Sequence, residues 1–407
     1  MAEPQLPERH GKAPPGLVVL LAALSTIGPF SIDTYLPAFP AIARSLSATD
    51  LQVQQTLTAY MLPFAFMMLW HGALSDALGR RRVILGGILL YVLATLVCVF
   101  AQRIEVLWAG RALQGLCAGA GMVVSRAVVR DLFDGAAAQK LMSHIAILFG
   151  IAPAIAPIIG GWIHAWFDWH GIFVFLAVFG AAIFVLAWRR LPETLPADRR
   201  QSLHPVLLAR AYGQVFSHGA FLRYSFALAF CFNGMFLYVL SAPVFLMRHL
   251  GLSAQAFGWM FGPAVLGLMT GSWISGRLAG KVSPRRTVFL GLGVMGAGAA
   301  ANLLLNALVA PAFPWPLLPL PPYALGLAMV MPALQLMALD HFPERRGLAS
   351  SCQSVIHTGT NVLTAAILAP LLWHGTLALA GGMAASLILG AAIFALVPRM
   401  PRPAPRT

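Results

Sequence analysis

The sequence is poor in charge: only 10% of its 407 residues are charged, whereas 59% are apolar. Soluble globular proteins carry roughly 25% charged residues, so a soluble fold is excluded. The charges that are present sum to a formal net charge of +14, but they form short clusters between apolar runs of about 20 residues. A nucleic-acid-binding face or arm on a soluble core is therefore excluded too, and we expect no nucleic-acid partner.

Cysteines and catalytic motifs are also scarce. The four cysteines lie inside apolar runs, and no pair has the spacing of a metal site or a redox centre. The chain lacks a G-x-S-x-G nucleophile elbow, a Walker phosphate loop and an H-E-x-x-H zinc motif. We therefore expect neither an enzyme nor ATP-driven transport, and we predict no cofactor and no metal site.

Apolar runs, each long enough to cross a hydrocarbon core of about 30 Å as a helix, follow one another along the chain. They are continuous rather than alternating, which excludes a membrane β-barrel. The amino-terminal stretch is polar and has no cleavage site, so we expect the first run to be a retained membrane helix. The prediction is an all-α membrane protein in a lipid bilayer, with twelve transmembrane helices near residues 16–38, 52–74, 83–102, 105–125, 141–163, 170–188, 221–246, 254–276, 287–308, 314–337, 347–371 and 376–397.

Basic residues are distributed unevenly between the two alternate sets of loops. One set, which includes both tails, holds 23 of the 27 Lys and Arg residues, and the other holds only Arg44, Arg103 and Arg248. Because positively charged loops remain in the cytoplasm, both termini are predicted to be cytoplasmic.

The longest polar stretch divides the apolar runs six and six. A loop rich in glycine and arginine follows the second run, and a similar loop begins at Gly276, 204 residues after Gly72. Such a repeat indicates two parallel six-helix bundles around a central site. We expect a cytoplasmic tail at 1–15, a first bundle at 16–188, a central cytoplasmic loop at 189–220, a second bundle at 221–397 and a cytoplasmic tail at 398–407.

The first of these loops resembles the G-x-L-x-D-x-x-G-R-R signature of the major facilitator superfamily. The stretches Gly28–Pro37 and Ser125–Phe133 resemble its bicyclomycin/chloramphenicol resistance branch of drug exporters. The resemblance covers essentially the whole chain and implies the major facilitator fold, with two pseudo-symmetric six-helix bundles. It also implies a monomer in the bacterial inner membrane that exports small drug-like molecules, such as amphenicols or bicyclomycin-type antibiotics, in exchange for protons. The signature residues here are Gly72, Leu74, Asp76, Gly79, Arg80 and Arg81.

Asp33 is the only acid predicted well inside the membrane, roughly 25 Å from the start of the first helix. A buried ionised carboxylate is costly, so we expect Asp33 to take up a proton when it faces acid. Arg111 enters from the opposite end, roughly 9 Å into the fourth helix. The resemblance associates Arg111 and Gln114 with proton coupling, and we expect Arg111 to help release the proton once the cavity turns inward. Helix packing alone remains an alternative role for both charges.

The fifth helix resembles the antiporter pattern G-x-x-x-G-P-x-x-G-G, with alanine in place of both leading glycines. Its prolines allow bending and its small residues allow close packing. We interpret the bent helix as closing one side of the cavity, with packing alone as the alternative. The residues concerned are Ala152, Pro153, Ala156, Pro157, Gly160 and Gly161.

The glycine- and arginine-rich loop is a candidate gate. A carboxylate at Asp76 can cap a helix or pair with an arginine in one conformation only, which would bias the inward and outward states; a purely topological role for the charges is the alternative. In the second copy Gly280 replaces the acid and Ser283 replaces the following glycine. We therefore expect only the first loop to make the full set of gate contacts.

Polar residues inside the apolar runs are candidates for the substrate cavity, although each alone can be an interhelical hydrogen bond. The candidates are Tyr60, Gln114, Met122, Asn233, Gln353 and His357. Because Asp33 has no second acid one or two turns before it, where Ser25 lies, we expect neutral or zwitterionic compounds to be handled better than dications.

Two other functions remain open at this stage. The protein could export a physiological amino acid, dipeptide or sugar, with drugs as incidental cargo. It could also be a membrane receptor or scaffold that has lost transport, although an intact Asp33 and Arg111 argue against this.

Overall fold

A computed structural model of the protein describes residues 15–133, 135–200 and 204–397. The secondary structure within these ranges is helical. The predicted tails lie outside the described residues, except that the first helix already begins at Pro15. The α-helices of the described part are α1 (Pro15–Asp33), α2 (Phe39–Ser45), α3 (Asp50–Leu78), α4 (Arg80–Val99), α5 (Ile104–Leu132), α6 (Gly135–Arg190), α7 (Pro205–Phe216), α8 (Gly219–Ala242), α9 (Gly258–Leu278), α10 (Pro284–Leu308), α11 (Leu320–Leu339), α12 (Arg346–Leu363), α13 (Ala369–Leu372) and α14 (Thr376–Ala395).

Ten helical segments of the described chain are long and apolar enough to cross a membrane. One of them, Leu148–Arg190, contains two crossings, because Asp168 adopts a φ of 63° and interrupts α6. The 21-residue α9 is not among the ten, but it packs against α11 as α3 packs against α5, and it adds a further crossing. The described chain therefore has the twelve crossings that the sequence predicted.

Local sequence signals fix several of the helix ends. Thr49 caps α3: its side chain accepts a hydrogen bond from the backbone N–H of Gln52, and the Gln52 side chain accepts one from the backbone N–H of Thr49. At the other end of α3, Gly79 has a φ of 99° and a ψ of 148°. This left-handed conformation favours glycine, and it turns the chain directly into α4.

The two halves repeat the same packing pairs. In the first half α3 and α4 pack against α5, and α1 and α4 pack against α6. In the second half α9 and α10 pack against α11, and α8 and α10 pack against α14. The halves meet where α3 packs against α12 and where α6 packs against α9. This arrangement is the pair of pseudo-symmetric bundles expected from the repeat.

The two ends of the bundle differ in charge. At one end, here called the basic end, the backbone of Gly16 approaches Arg190, and Arg223 and Arg285 donate hydrogen bonds to the carbonyls of Leu396 and Val397. The first and last crossings therefore share this end. The other end, here called the opposite end, includes Asp50, Arg103 and Arg248.

Many large apolar side chains lie exposed on the outer surface, including Phe100, Trp166 and Ile388, at 76%, 69% and 68% exposure. A soluble protein rarely leaves such extensive apolar surface in water. Lipid contact accounts for these side chains, and the protein is a multi-pass membrane protein.

The segment between the halves, residues 191–218, contains a helix where the sequence predicts a loop. This helix, α7, packs against α12, and the hydroxyl of Tyr212 donates a hydrogen bond of 2.7 Å to the carbonyl of Leu69 in α3. The linker thus contacts both halves at the basic end.

Candidate functional site

Asp33 is the last residue of α1. The same membrane span continues through a short 3₁₀ turn, Leu36–Ala38, into α2. The Asp33 side chain is buried, with 4% of the residue exposed, and no Lys, Arg or His of the described residues forms an ion pair with it. The carboxyl end of a helix carries partial negative charge, so the local backbone gives a carboxylate no compensation. A charge at this position is costly unless a proton or a partner neutralises it.

Arg111 lies completely buried in α5, between two aromatic rings. Its guanidinium carbon is 4.5 Å from the ring centre of Tyr35 and 4.3 Å from that of Tyr60. Cation–π contacts of this kind are worth about 2 kcal/mol or more when they are desolvated. One nitrogen, Nη1, donates to Oε1 of Gln114 at 2.8 Å. Nε and Nη2 have no hydrogen-bond partner among the described residues, so the cation retains free donors.

A chain of hydrogen bonds holds Arg111 in position. Nε2 of Gln114 donates to Oγ1 of Thr95 at 2.7 Å, and Thr95 donates to the carbonyl of Tyr91 at 2.7 Å. The Tyr91 hydroxyl is 2.6 Å from Oγ of Ser31, two residues before Asp33. Gln114, predicted as a cavity residue, is completely buried, and its side chain links Arg111 of α5 to Thr95 of α4. Through Tyr91 these hydrogen bonds reach Ser31 of α1.

Asp33 and Arg111 form no ion pair among the described residues, but Arg111 contacts a ring close to Asp33 in sequence. Tyr35, two residues after Asp33, carries one of the rings that contact Arg111. Tyr60 carries the other ring, and a Cβ placed on Gly28 of α1 would lie 4.0 Å from the Tyr60 hydroxyl oxygen. The tyrosines therefore connect the guanidinium to α1. The hydroxyl of Tyr60 has no hydrogen-bond partner among the described residues.

Small residues make this arrangement possible. A Cβ at Gly115 would overlap the carbonyl of Tyr60, so only glycine lets α3 approach α5 this closely. A Cβ at Gly160 in α6 would overlap the carbonyl of Thr34, next to Asp33.

The predicted antiporter motif thus contacts both halves. Whereas Gly160 packs on α1, a Cβ at Gly161 would overlap the carbonyl of Ala254, in the segment before α9. Of the other motif residues, Ala152, Ala156 and Pro157 are buried and Pro153 is half-buried. This part of α6 packs between the end of α1 and the second half.

At the basic end, Arg80 is the centre of a charged cluster. It forms an ion pair with Asp76. It also donates a hydrogen bond of 2.7 Å to Oγ of Ser75 and one of 3.0 Å to Oδ2 of Asp131. Thr194 donates to the same Asp131 oxygen at 2.9 Å. Asp76 therefore pairs with an arginine, one of the two roles expected for it.

The segment after α6 joins the same cluster. Glu193 accepts a hydrogen bond of 2.8 Å from the backbone N–H of Arg80, and a Cβ on Gly79 would overlap its carboxylate. Arg81 donates to the carbonyls of Leu191 and Trp188, at 2.9 and 2.7 Å. These contacts lie within the first half and the start of the linker. A Cβ placed on Gly72, the first residue of the signature, would lie 4.0 Å from Cγ1 of Val123.

The second copy of the loop has no such cluster. Gly280 keeps a positive φ of 76°, but the arginines nearby contact rings and carbonyls. Arg277 stacks on Trp273 at 4.4 Å, and Arg285 lies 5.1 Å from the ring of Phe394 and donates to Val397. Across the described residues, no carboxylate pairs with either arginine.

In the second half, unpaired polar groups lie on α8 and α12. Asn233 accepts a 2.6 Å hydrogen bond from Thr364, but its Nδ2 has no partner among the described residues. Nε2 of Gln353 and Nε2 of His357 are likewise without partners in this part of the chain. Gln353 and His357 are one helical turn apart and share a face of α12, and His357 lies 4.5 Å from the ring of Phe232. Met122, the remaining cavity candidate, is half-buried on α5.

The family comparison agrees with this architecture. The family model described as Major Facilitator Superfamily matches residues 20–359. The chain belongs to the major facilitator superfamily. Its signature loop and its two six-helix halves are thus found in a chain of this family.

Similar proteins of this superfamily occur in bacteria. The chain is 34% identical to the uncharacterized MFS-type transporter YdgK of Bacillus subtilis, over 84% of this chain and 85% of that protein. It is 31% identical to a bicyclomycin resistance protein homolog of Haemophilus influenzae, over 82% of this chain and 84% of that protein. The name of the second relative supports the drug-efflux branch that the sequence resembles.

A solved structure supports the fold. The chain superposes on a bacterial homolog of the human lysosomal transporter Spinster with a TM-score of 0.67, covering 95% of this chain and 97% of that one. The sequence identity is 16%, so this likeness concerns the fold alone.

The site of this major facilitator protein includes several residues that the sequence does not identify as functional. Tyr35, Tyr91 and Thr95 join the Arg111 environment, and Glu193 and Asp131 join the Arg80 cluster. Tyr35 and Asp131 lay within stretches that carried the family resemblance, which was a usable signal. The others are ordinary residues in sequence and acquire their roles only through tertiary contact.

Proposed function

We propose that this protein exports small drug-like molecules by alternating access in exchange for protons. The observation that carries the proposal is the buried pair of opposite charges in the first half: Asp33 at the broken end of α1 and Arg111 between Tyr35 and Tyr60. Intramembrane ionisable residues are expensive and are generally functional. The drug-efflux direction is supported by the relative named a bicyclomycin resistance protein homolog.

Asp33 is the proposed proton carrier. Its buried carboxylate lacks a cationic partner among the described residues, so a bound proton is the simplest way to neutralise it. Because Gly160 lies directly against Thr34, a movement of α6 acts on the backbone next to Asp33. Because the neighbouring Gly161 packs against Ala254 of the second half, rocking of the halves would act on α6 and through it on the surroundings of the carboxylate.

Arg111 is the proposed release group. Its Nε and Nη2 are free to donate, while two rings and Gln114 hold the guanidinium. In a state where α1 shifts, these donors would stabilise an ionised Asp33 and favour loss of the proton. Cargo would then bind against the unpaired polar groups of Asn233, Gln353 and His357.

The proposed cargo is a neutral or zwitterionic compound, such as an amphenicol or a bicyclomycin-type antibiotic. A single carboxylate balances one positive charge, so a dication would leave charge uncompensated in the membrane. Ser25 lies where a second acid would be needed to balance a dication, and its hydroxyl donates a hydrogen bond of 3.0 Å to the carbonyl of Leu21.

The proposed setting is the inner membrane of a bacterium, with both termini in the cytoplasm. The uneven distribution of Lys and Arg supports this orientation. We further propose a functional monomer, since both halves of the pathway lie within one chain.

A susceptibility assay tests the proposal. A transporter-deficient bacterial host would express the wild type, Asp33→Asn or Asp340→Asn. Asp340 is a matched control because it is partly exposed and pairs with Arg346 outside the site. We expect chloramphenicol resistance from the wild type and the control and its loss in Asp33→Asn. Resistance in all three strains removes Asp33 from the coupling role, and resistance to dicationic dyes but not to chloramphenicol contradicts the proposed cargo class.

A further inference from the structure

A groove of about 660 Å³ runs between α3 and α4 on the surface of the first half, and α5 forms its floor. The chain passes directly from α3 to α4 at Gly79, but both helices pack mainly on α5 rather than on each other. The main contacts of α4 all lie within the first half. Leu78, Leu90 and Leu93 of the groove wall are exposed. The groove therefore opens toward the lipid and away from the boundary between the halves.

A glycine on α4 leaves open space inside this groove. A Cβ on Gly86 would meet no atom within 4 Å, whereas a Cβ on the next residue, Gly87, would come within 2.9 Å of Ala120 on α5. In the second half Leu290 stands 204 residues after Gly86, and it is 52% exposed. The first half thus has space over its α4 backbone where the second half carries a leucine side chain.

The length of the groove matches one leaflet of a bilayer. Its wall includes Arg82, at the basic end of α4, and Leu93 farther along the same helix. These two residues are eleven apart in the sequence, which corresponds to about 16 Å along the helix axis. A hydrocarbon core of about 30 Å gives each leaflet about 15 Å. An acyl chain of the leaflet at the basic end can therefore lie along this part of the groove.

Arg82 supplies a charge at the end of the groove. Among the described residues that line the groove, it is the only Lys, Arg, Asp or Glu. Its side chain is exposed and forms no ion pair within the described ranges. The neighbouring Arg80 and Arg81, in contrast, have partners within the first half and the start of the linker. Arg82 therefore carries a charge that a ligand in the groove can balance.

The charge of the headgroup decides which lipid the groove selects. Lipid tails are as apolar as leucine, so a tail gains little by leaving the bulk lipid for the groove. A phosphate adds a charge-assisted hydrogen bond, which the planar guanidinium of Arg82 can make with two parallel N–H groups. A zwitterionic headgroup also brings an ammonium, which Arg81 and Arg82 repel. A headgroup with a net negative charge is therefore favoured.

We propose that this groove binds one phospholipid with a net negative headgroup, such as phosphatidylglycerol, in the leaflet at the basic end. The phosphate pairs with Arg82, and one acyl chain lies over Gly86 between Leu74 of α3 and Leu90 of α4. Because a ligand that binds only the folded protein stabilises it, the lipid adds to the stability of the first half. The site does not depend on which molecule the protein exports.

Cysteine protection tests the site. Leu90→Cys puts an exposed thiol in the groove wall, and the unsubstituted chain gives the background, since three of its four cysteines are buried and Cys117 is half-buried. The rate at which a small maleimide labels the purified protein in detergent is measured as phosphatidylglycerol or phosphatidylcholine with the same acyl chains is added. Because of the arginine, phosphatidylglycerol should give half-protection at an about fivefold lower mole fraction than phosphatidylcholine.

The decisive comparison adds Arg82→Gln to Leu90→Cys. This variant should raise the mole fraction of phosphatidylglycerol for half-protection to that of phosphatidylcholine. Arg286→Gln is the matched control, because Arg286 is exposed at the equivalent position of the second half and should leave the preference unchanged. No protection, equal protection by the two lipids, or a preference that survives Arg82→Gln overturns the site.

Gly86→Leu tests the position of the acyl chain. The variant carries the residue that the second half has at Leu290, and the open space over Gly86 accommodates it. Its unfolding temperature without lipid should not fall, because leucine has the higher helix propensity. Native mass spectrometry of the variant and the wild type, each with phosphatidylglycerol in detergent, counts the lipids that remain bound. The variant should retain one lipid fewer than the wild type, and equal retention contradicts the site.

Discussion

Replacing Arg80 by lysine should weaken the first half of the protein selectively. The guanidinium directs Nε and Nη1 to Asp131, Asp76 and Ser75 at once. The lysine ammonium keeps the charge, but it has only one nitrogen and lies on a shorter side chain. We therefore expect Arg80→Lys to lose about two of these hydrogen bonds.

The magnitude follows from the geometry. Hydrogen bonds to charged groups contribute about 1.5–3 kcal/mol each. The Asp76 and Asp131 side chains are 42% and 21% exposed, so solvent screening lowers their share. A net loss of about 2 kcal/mol results, which lowers the unfolding temperature of a unit the size of one bundle by about 6 °C.

The native cysteines provide the assay. Three of the four are buried, so a dye that fluoresces on reaction with thiols reports unfolding during a temperature ramp in detergent. Arg285→Lys is the matched control, because Arg285 occupies the second copy of the loop and contacts only a carbonyl and aromatic rings. Equal shifts in the two variants, or a shift below about 1 °C for Arg80→Lys, would refute the reasoning.

Three further variants test other parts of the account. Gly160→Val should abolish transport or folding because its side chain would overlap the carbonyl of Thr34, whereas Gly150→Ala on the same helix has free space and should leave drug export unchanged. Arg111→Lys should lower drug-dependent proton flux by at least about tenfold, since an ammonium lacks the planar face that stacks between two rings; flux equal to the wild type would contradict this. Burial raises the pKa of Tyr212 to about 12, so its protonated hydroxyl stabilises the linker below about pH 10 and this stability is lost as the pH rises through 12. Tyr212→Phe should remove that pH dependence of the unfolding temperature, and an unchanged dependence would assign it to other groups.

The sequence predicted the helices well because the bilayer sets their length. A run of about 20 apolar residues between charges is stable in lipid only as a transmembrane helix. Its position can therefore be predicted without tertiary information. The one helix that was missed, α7, lies in the polar linker, where this constraint does not act. Its stabilising contacts are tertiary, such as the hydrogen bond from Tyr212 to Leu69, 143 residues away in sequence.

Only the charged residues of the candidate site could be predicted from the sequence. Asp33 and Arg111 stand out because charge is rare inside apolar runs. Their surroundings could not be predicted, because the partners come from distant positions and ordinary residue types. Asp131 and Glu193 are 51 and 113 residues from Arg80. Asp131 lies in a stretch that carries the family resemblance, but no local pattern distinguishes Glu193 from other loop acids.

The most direct test of proton exchange uses proteoliposomes that contain the purified protein and a pH gradient. Uptake of labelled chloramphenicol is followed with the gradient intact and after an ionophore collapses it, for the wild type and for Asp33→Asn. Our account predicts gradient-driven uptake by the wild type, loss of that uptake on collapse, and no response to the gradient in Asp33→Asn. Wild-type uptake that continues at the same rate without the gradient would contradict it.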